Sequence, residues 1–143
     1  MNERIVAVSG GFDPIHVGHV RMIQAAAKLG TRLVVIVNKD EFLMRKKGYV
    51  FMPLAERMEI VRAMKCVNMV IEAIDSDQTV CESLRFVNPH VFANGGDRKG
   101  ASGIPEATVC QELSISMEFN VGGGKVQSSS TLASQRDNKC LTI

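Results

Sequence analysis

Gly11-Phe12-Asp13-Pro14-Ile15-His16-Val17-Gly18-His19 joins a short apolar run, Arg4–Val8, to a segment of helical period, Val20–Leu29. Where a strand hands over to a helix, the first helical turn presents unpaired N–H groups and the positive end of the helix dipole. His16 and His19 stand at that point with Gly18 between them. Imidazoles donate to phosphate oxygens, and a glycine lets a ligand approach the backbone closely. The stretch therefore reads as a polyphosphate site at a strand-to-helix turn.

Outward from it, apolar strand-like runs alternate with helix-period segments. Val20–Leu29 is expected to close with Gly30 at its C′ position. Arg32–Val37 reads as a buried parallel strand, Pro53–Lys65 as a helix with Pro near its first turn, and Val67–Ala73 as strand three. Thr79–Val87 reads as a helix, His90–Asn94 as strand four, Pro105–Leu113 as a helix and Ser114–Phe119 as strand five. Ser129–Gln135 reads as a short closing helix, and Asp137–Ile143 as a tail without period, so one domain is expected over 1–136 with a tail over 137–143.

The alternation predicts an α/β, Rossmann-like three-layer fold: a five-stranded parallel sheet of order 3-2-1-4-5 with helices on both faces. In that order the ends of strands one and four flank the switch-point crevice. The loops there, Ser9–His19 and Asn94–Lys99, are the polar, glycine-rich ones.

Composition narrows the function classes. With 143 residues, 45% of them apolar, the chain can bury a substantial core. Its 17 basic and 15 acidic residues nearly balance, and it has one Tyr and no Trp. Neither a basic stripe nor a stacking platform points to nucleic acid, so no nucleic-acid partner is expected. Ile5–Val8 is too short to span a bilayer, and no signal-peptide pattern opens the chain, so a cytoplasmic protein without a membrane partner is expected. Cys66, Cys81 and Cys110 sit in apolar segments without C-x-x-C spacing and read as buried free thiols.

The run from Gly11 to His19 resembles the H-x-G-H motif of the nucleotidyltransferase (cytidylyltransferase-like) superfamily. Four further segments extend the resemblance, in order, from about Arg4 to Leu132. Val37–Phe42 with Lys47-Gly48 resembles the segment after strand two of glycerol-3-phosphate cytidylyltransferase and heptose-phosphate adenylyltransferases. Pro53–Met58, and Asn94-Gly95-Gly96-Asp97-Arg98-Lys99, resemble the heptose enzymes. Lys125–Ser130 resembles the late serine/threonine motif at the last helix N-terminus.

The resemblance implies attack of an acceptor phosphate on the α-phosphate of ATP or CTP, with pyrophosphate released and no covalent enzyme intermediate. The acceptor would be a small phosphorylated sugar or polyol, Mg2+ would accompany the triphosphate, and the assembly would be a homodimer. No metal site made of protein side chains is expected, because Mg2+ prefers phosphate oxygens and water.

His16, His19 and Lys47 would be catalytic. Gly11, Phe12, Asp13, Gly18, Asn94, Gly95, Asp97, Ser128, Ser129 and Ser130 would bind the nucleotide. Lys46, Lys47 and Arg57 would bind the acceptor phosphate.

Read without the resemblance, Arg45-Lys46-Lys47 is a solvated basic loop and Arg57 a partner of neighbouring glutamates. Asp13 is the start of an Asp-Pro turn, and Ser128–Ser130 an N-cap cluster. His90 reads as structural. The alternative functions are a nucleotide-binding regulatory domain without turnover, or adenylyl transfer to a flavin or pantetheine phosphate.

Overall fold

The computed structural model describes residues 2–95 and 104–123. The expected Ser129–Gln135 helix and the 137–143 tail lie outside the described residues.

Five strands form one parallel sheet: β1 Ile5–Gly10, β2 Arg32–Val37, β3 Met69–Glu72, β4 Val91–Ala93 and β5 Ser116–Glu118. Their order is β3-β2-β1-β4-β5, as the alternation predicts. Val6 pairs with Leu33 on one side and Val91 on the other, and β1 and β2 end level at Gly10 and Val37.

Strand period explains the layering, since successive side chains face opposite ways. Val6, Val8, Leu33, Val35, Val37, Val91 and Ala93 share a core with Ile23 and Ala26 of helix α1 (Val17–Ala27) and Val61 of α3 (Leu54–Arg62). Ala7, Ile36 and Phe92 face the other way. They pack with Leu84 of α4 (Cys81–Val87) and with Val109 and Cys110 of α5 (Glu106–Glu112). Each fully buried Val, Leu or Ile stabilises the fold by roughly 1.5–3 kcal/mol.

Several boundaries differ from the sequence expectation. β1 runs two residues further, to Gly10, and α1 begins at Val17 because His16 caps it. Gly30 does not cap α1; the C-cap is Lys28. A Cβ on Gly30 would stand 2.3 Å from the Arg4 carbonyl oxygen, so close packing explains this glycine. An additional helix, α2 (Asp40–Lys47), was not expected. It opens with Asp40 and Glu41, closes with Arg45, Lys46 and Lys47, and ends on Gly48 at φ 87°, a dipole-matched start and a left-handed stop. Its one buried residue, Leu43, packs where a side chain on Gly11 would otherwise stand.

Cys66, Cys81 and Cys110 are free; Cys110 is buried, and the other two are only partly so. Burial pushes the Cys110 thiol up to about 11, with the Glu106 carboxylate adding to the shift. Among the described residues no helix is long and apolar enough to cross a membrane.

Candidate active site

His16 ends the loop after β1 in an extended conformation, φ −145° and ψ 177°, and caps α1. Its Nδ1 accepts the Gly18 backbone N–H at 3.0 Å, while His19 Nδ1 accepts the His16 N–H at 3.1 Å. This reciprocal pair is a capping box built from imidazoles. The rings stack, centroids 3.9 Å apart and planes 27° from parallel, and buried Phe12 meets His19 edge-on at 5.1 Å.

A neutral imidazole that accepts through Nδ1 carries its proton on Nε2. The cap therefore sets both histidines in the tautomer that donates through Nε2. No acidic residue occupies the first turn of α1, so its positive end is not neutralised there. In the sequence, Gly18 is expected to admit close ligand approach. The structure adds a tighter constraint, for a Cβ there would lie 2.8 Å from His16 Cε1.

Asp13 is almost wholly buried, and its carboxylate neither caps the Asp-Pro turn nor stands open. It accepts the Phe51 N–H at 2.7 Å, the Met52 N–H at 2.6 Å and the Lys47 ammonium at 3.2 Å. Lys47 Nζ also donates to the Asp13 carbonyl at 2.7 Å and lies 4.7 Å from the Tyr49 ring centroid. Lys47 is therefore not in a solvated loop. It is the last residue of α2, drawn onto the loop that leads to His16. Lys46 Nζ stands 5.9 Å from the Phe42 ring centroid.

Arg57, expected to bind the acceptor phosphate, is engaged by protein groups in this structure. It is 1% exposed, although it lies near the start of α3. Its guanidinium donates to the carbonyls of Met52 at 2.9 Å, Gly11 at 2.9 Å and Asn38 at 2.7 Å, and to Asp40 Oδ1 at 2.6 Å. A buried guanidinium so engaged fastens three loops together and is not an open phosphate clamp. It pairs with Asp40, not with Glu56 or Glu59.

Asn94 continues from β4 at the same end of the sheet and is buried. Its backbone N–H donates to Glu118 at 2.8 Å, and its carbonyl accepts the Val121 N–H at 2.9 Å, which ties β4 to the chain leaving β5. Gly95 follows it, half-buried. Asp97, Ser128, Ser129 and Ser130 lie outside the described residues. His90 is structural, as expected: its Nδ1 accepts the Ile5 N–H at 2.9 Å.

Gly11, Phe12, Asp13, His16, Gly18, His19, Lys47 and Arg57 are thus gathered around the ends of β1 and β2. Sequence reasoning missed Asp40 and Tyr49. The acidic start and basic end of α2 were the available signal for the helix that bears Asp40.

Residues 7–102 match the cytidylyltransferase-like family. The bifunctional protein HldE of Streptomyces coelicolor is 42% identical over 110 residues, covering 76% of this chain and 23% of that protein. HldE of Pelobacter propionicus is 36% identical over 143 residues, covering 98% of this chain and 26% of that protein. The chain thus spans about a quarter of the length of these curated relatives. The lipopolysaccharide core biosynthesis protein of Thermoplasma volcanium shares the fold, with a TM-score of 0.68 at 24% identity over 82% of this chain and 94% of that one. With the histidine cap, the sheet order and the matched span in agreement, the chain belongs to the cytidylyltransferase-like family and carries a nucleotidyltransferase domain.

Proposed function

We propose that this domain transfers a nucleoside monophosphate from ATP or CTP to the phosphate of a small sugar phosphate, releasing pyrophosphate. The observation that carries this reading is the reciprocal cap of His16 and His19, which sets both imidazoles to donate through Nε2 at the N-terminus of α1. The similarity to HldE proteins, and the resemblance of the Asn94–Lys99 segment to heptose-phosphate adenylyltransferases, favour ATP and a heptose-type acceptor.

In this mechanism an acceptor phosphate oxygen attacks the α-phosphorus. The bond from that phosphorus to the bridging oxygen breaks, and pyrophosphate leaves with the electron pair. Negative charge grows on the oxygens between the α- and β-phosphates. The Nε2–H groups of His16 and His19 and the α1 N-terminus are pre-aimed donors for that charge. Lys47, held on the histidine loop by Asp13, holds the acceptor phosphate for in-line attack.

Mg2+ would enter with the triphosphate and help neutralise it. Such an ion would be carried mainly by phosphate oxygens and water.

Thermal unfolding with Mg2+ and ATP, CTP, GTP or UTP in turn tests the donor, followed by pyrophosphate release with a panel of sugar phosphates. At about 100 times its Kd the true donor adds roughly 2.7 kcal/mol, a shift of several degrees. A selective shift followed by acceptor-dependent pyrophosphate release is expected. Binding without release from any acceptor would overturn turnover in favour of a nucleotide-binding regulatory domain.

A further inference from the structure

The chain reverses direction immediately after Lys47. Gly48 takes the left-handed conformation at φ 87°, and a Cβ there would meet nothing within 4 Å, so the residue serves the turn and not the packing. The turn folds Tyr49 back so that its ring centroid lies 4.7 Å from the Lys47 ammonium. Both ends of this short segment are fastened. The Gly48 N–H bonds to the Met44 carbonyl at 2.9 Å, and the Phe51 and Met52 N–H groups bond to Asp13.

Tyr49 is nevertheless 36% exposed, whereas the Lys47 side chain is only 12% exposed. A large amphipathic ring is thus held at the surface beside a sheltered cation. Among the described residues the ring belongs to neither apolar core and its hydroxyl makes no hydrogen bond. Two of the ammonium's contacts go to Asp13, which sets its position independently of the ring. An acceptor whose phosphate meets Lys47 brings the rest of its body against the neighbouring surface, and Tyr49 is an aromatic side chain in contact with that cation. Aromatic faces offer broad apolar area, and a tyrosine adds a hydroxyl handle; both suit the C–H face and hydroxyls of a cyclic sugar.

We infer that Tyr49 is the specificity-determining residue of the acceptor subsite, its ring packing on the sugar of an acceptor whose phosphate Lys47 holds. The inference rests on the sugar-phosphate nucleotidyltransferase reading above.

Calorimetric titrations of the whole chain test it, with inorganic phosphate, glycerol 3-phosphate, mannose 1-phosphate and a heptose 1-phosphate as probes, alongside pyrophosphate-release kinetics. Tyr49→Ala should weaken the better cyclic sugar phosphate about tenfold, raise its KM in parallel and leave kcat, nucleotide affinity and phosphate affinity within about twofold. Tyr49→Phe, which keeps the ring, should stay within about threefold of the parent.

The inference is overturned if Tyr49→Ala weakens inorganic phosphate as much as the sugar phosphate, for the ring would then only steady Lys47. It is equally overturned if both substitutions leave every affinity unchanged. Failure of the parent protein to bind either sugar phosphate, with pyrophosphate release from no acceptor, would sink the nucleotidyltransferase reading and the inference with it. That failure is distinct from a parent that discriminates sugars without using Tyr49.

Discussion

The Lys47 ammonium stands 2.7 Å from the main-chain carbonyl of Asp13 and 3.2 Å from its carboxylate, across 34 residues of sequence. These two contacts join the end of α2 to the loop that ends at His16, the cap of the helix that carries His19. Asp13 also accepts two backbone N–H groups, one on each oxygen, so the arrangement needs an acceptor on both sides.

An amide cannot supply that. In Asp13→Asn one of the two oxygens becomes an NH2 group facing an N–H donor, whichever way the amide is turned. The substitution should lower unfolding free energy by about 1–3 kcal/mol in urea titrations. It should also raise the acceptor KM more than the nucleotide KM. A higher Mg2+ requirement with unchanged acceptor KM would instead give the carboxylate a role toward the metal–nucleotide complex.

Arg57 tests whether buried charge here holds the fold or the substrate. Arg57→Met leaves the carbonyls of Gly11, Asn38 and Met52 without their donor and Asp40 without its partner. Asp40 is half-exposed and regains water, so the cost comes from buried acceptors left unsatisfied, about 1–3 kcal/mol, read as a lower urea midpoint at unchanged slope. A variant of parental stability that had lost only acceptor affinity would restore Arg57 to phosphate binding.

The histidine cap separates structure from chemistry. His16→Asn keeps a side-chain acceptor at the N-cap, so stability should stay within about 1 kcal/mol of the parent. Transfer should still fall by about two to three orders of magnitude, because the Nε2–H donor is gone. Near-normal pyrophosphate release from this variant would remove His16 from the catalytic assignment. Gly18→Ala retains both imidazoles, yet its Cβ would come 2.8 Å from His16 Cε1. It should lose activity as well, by displacing the ring.

Cys110 makes the alkaline stability of the protein predictable. Its thiol is raised from 9.0 to about 11 by burial, so below pH 9 it is protonated in both the folded and unfolded chain. Between pH 9 and 11 the unfolded chain ionises while the folded one does not, and stability falls by up to about 1.4 kcal/mol per pH unit. Subtracting the pH–stability curve of Cys110→Ala cancels the other groups that titrate there. A difference curve that is flat from pH 9 to 11 would contradict the shift.

Sheet order, both apolar layers and the histidine turn were legible in the sequence because their signals are local. Strand alternation has a period of two, helix period spans about four residues, and the cap of α1 is closed between His16 and His19. Helix α2 was equally local and still missed, since its buried face reduces to Leu43 while its signal lies in its charged ends. What the tertiary structure alone decided is which groups the buried charges meet. Arg57 reaches Gly11 across 46 residues, and Asp13 reaches Met52 across 39. No periodicity encodes such pairs. They depend on how three loops converge at one end of the sheet, where a buried guanidinium or carboxylate must find partners and the partners at hand are backbone groups. That convergence makes Arg57 a fastener of the loops, and carries Lys47 from an apparent solvated loop to the histidine turn.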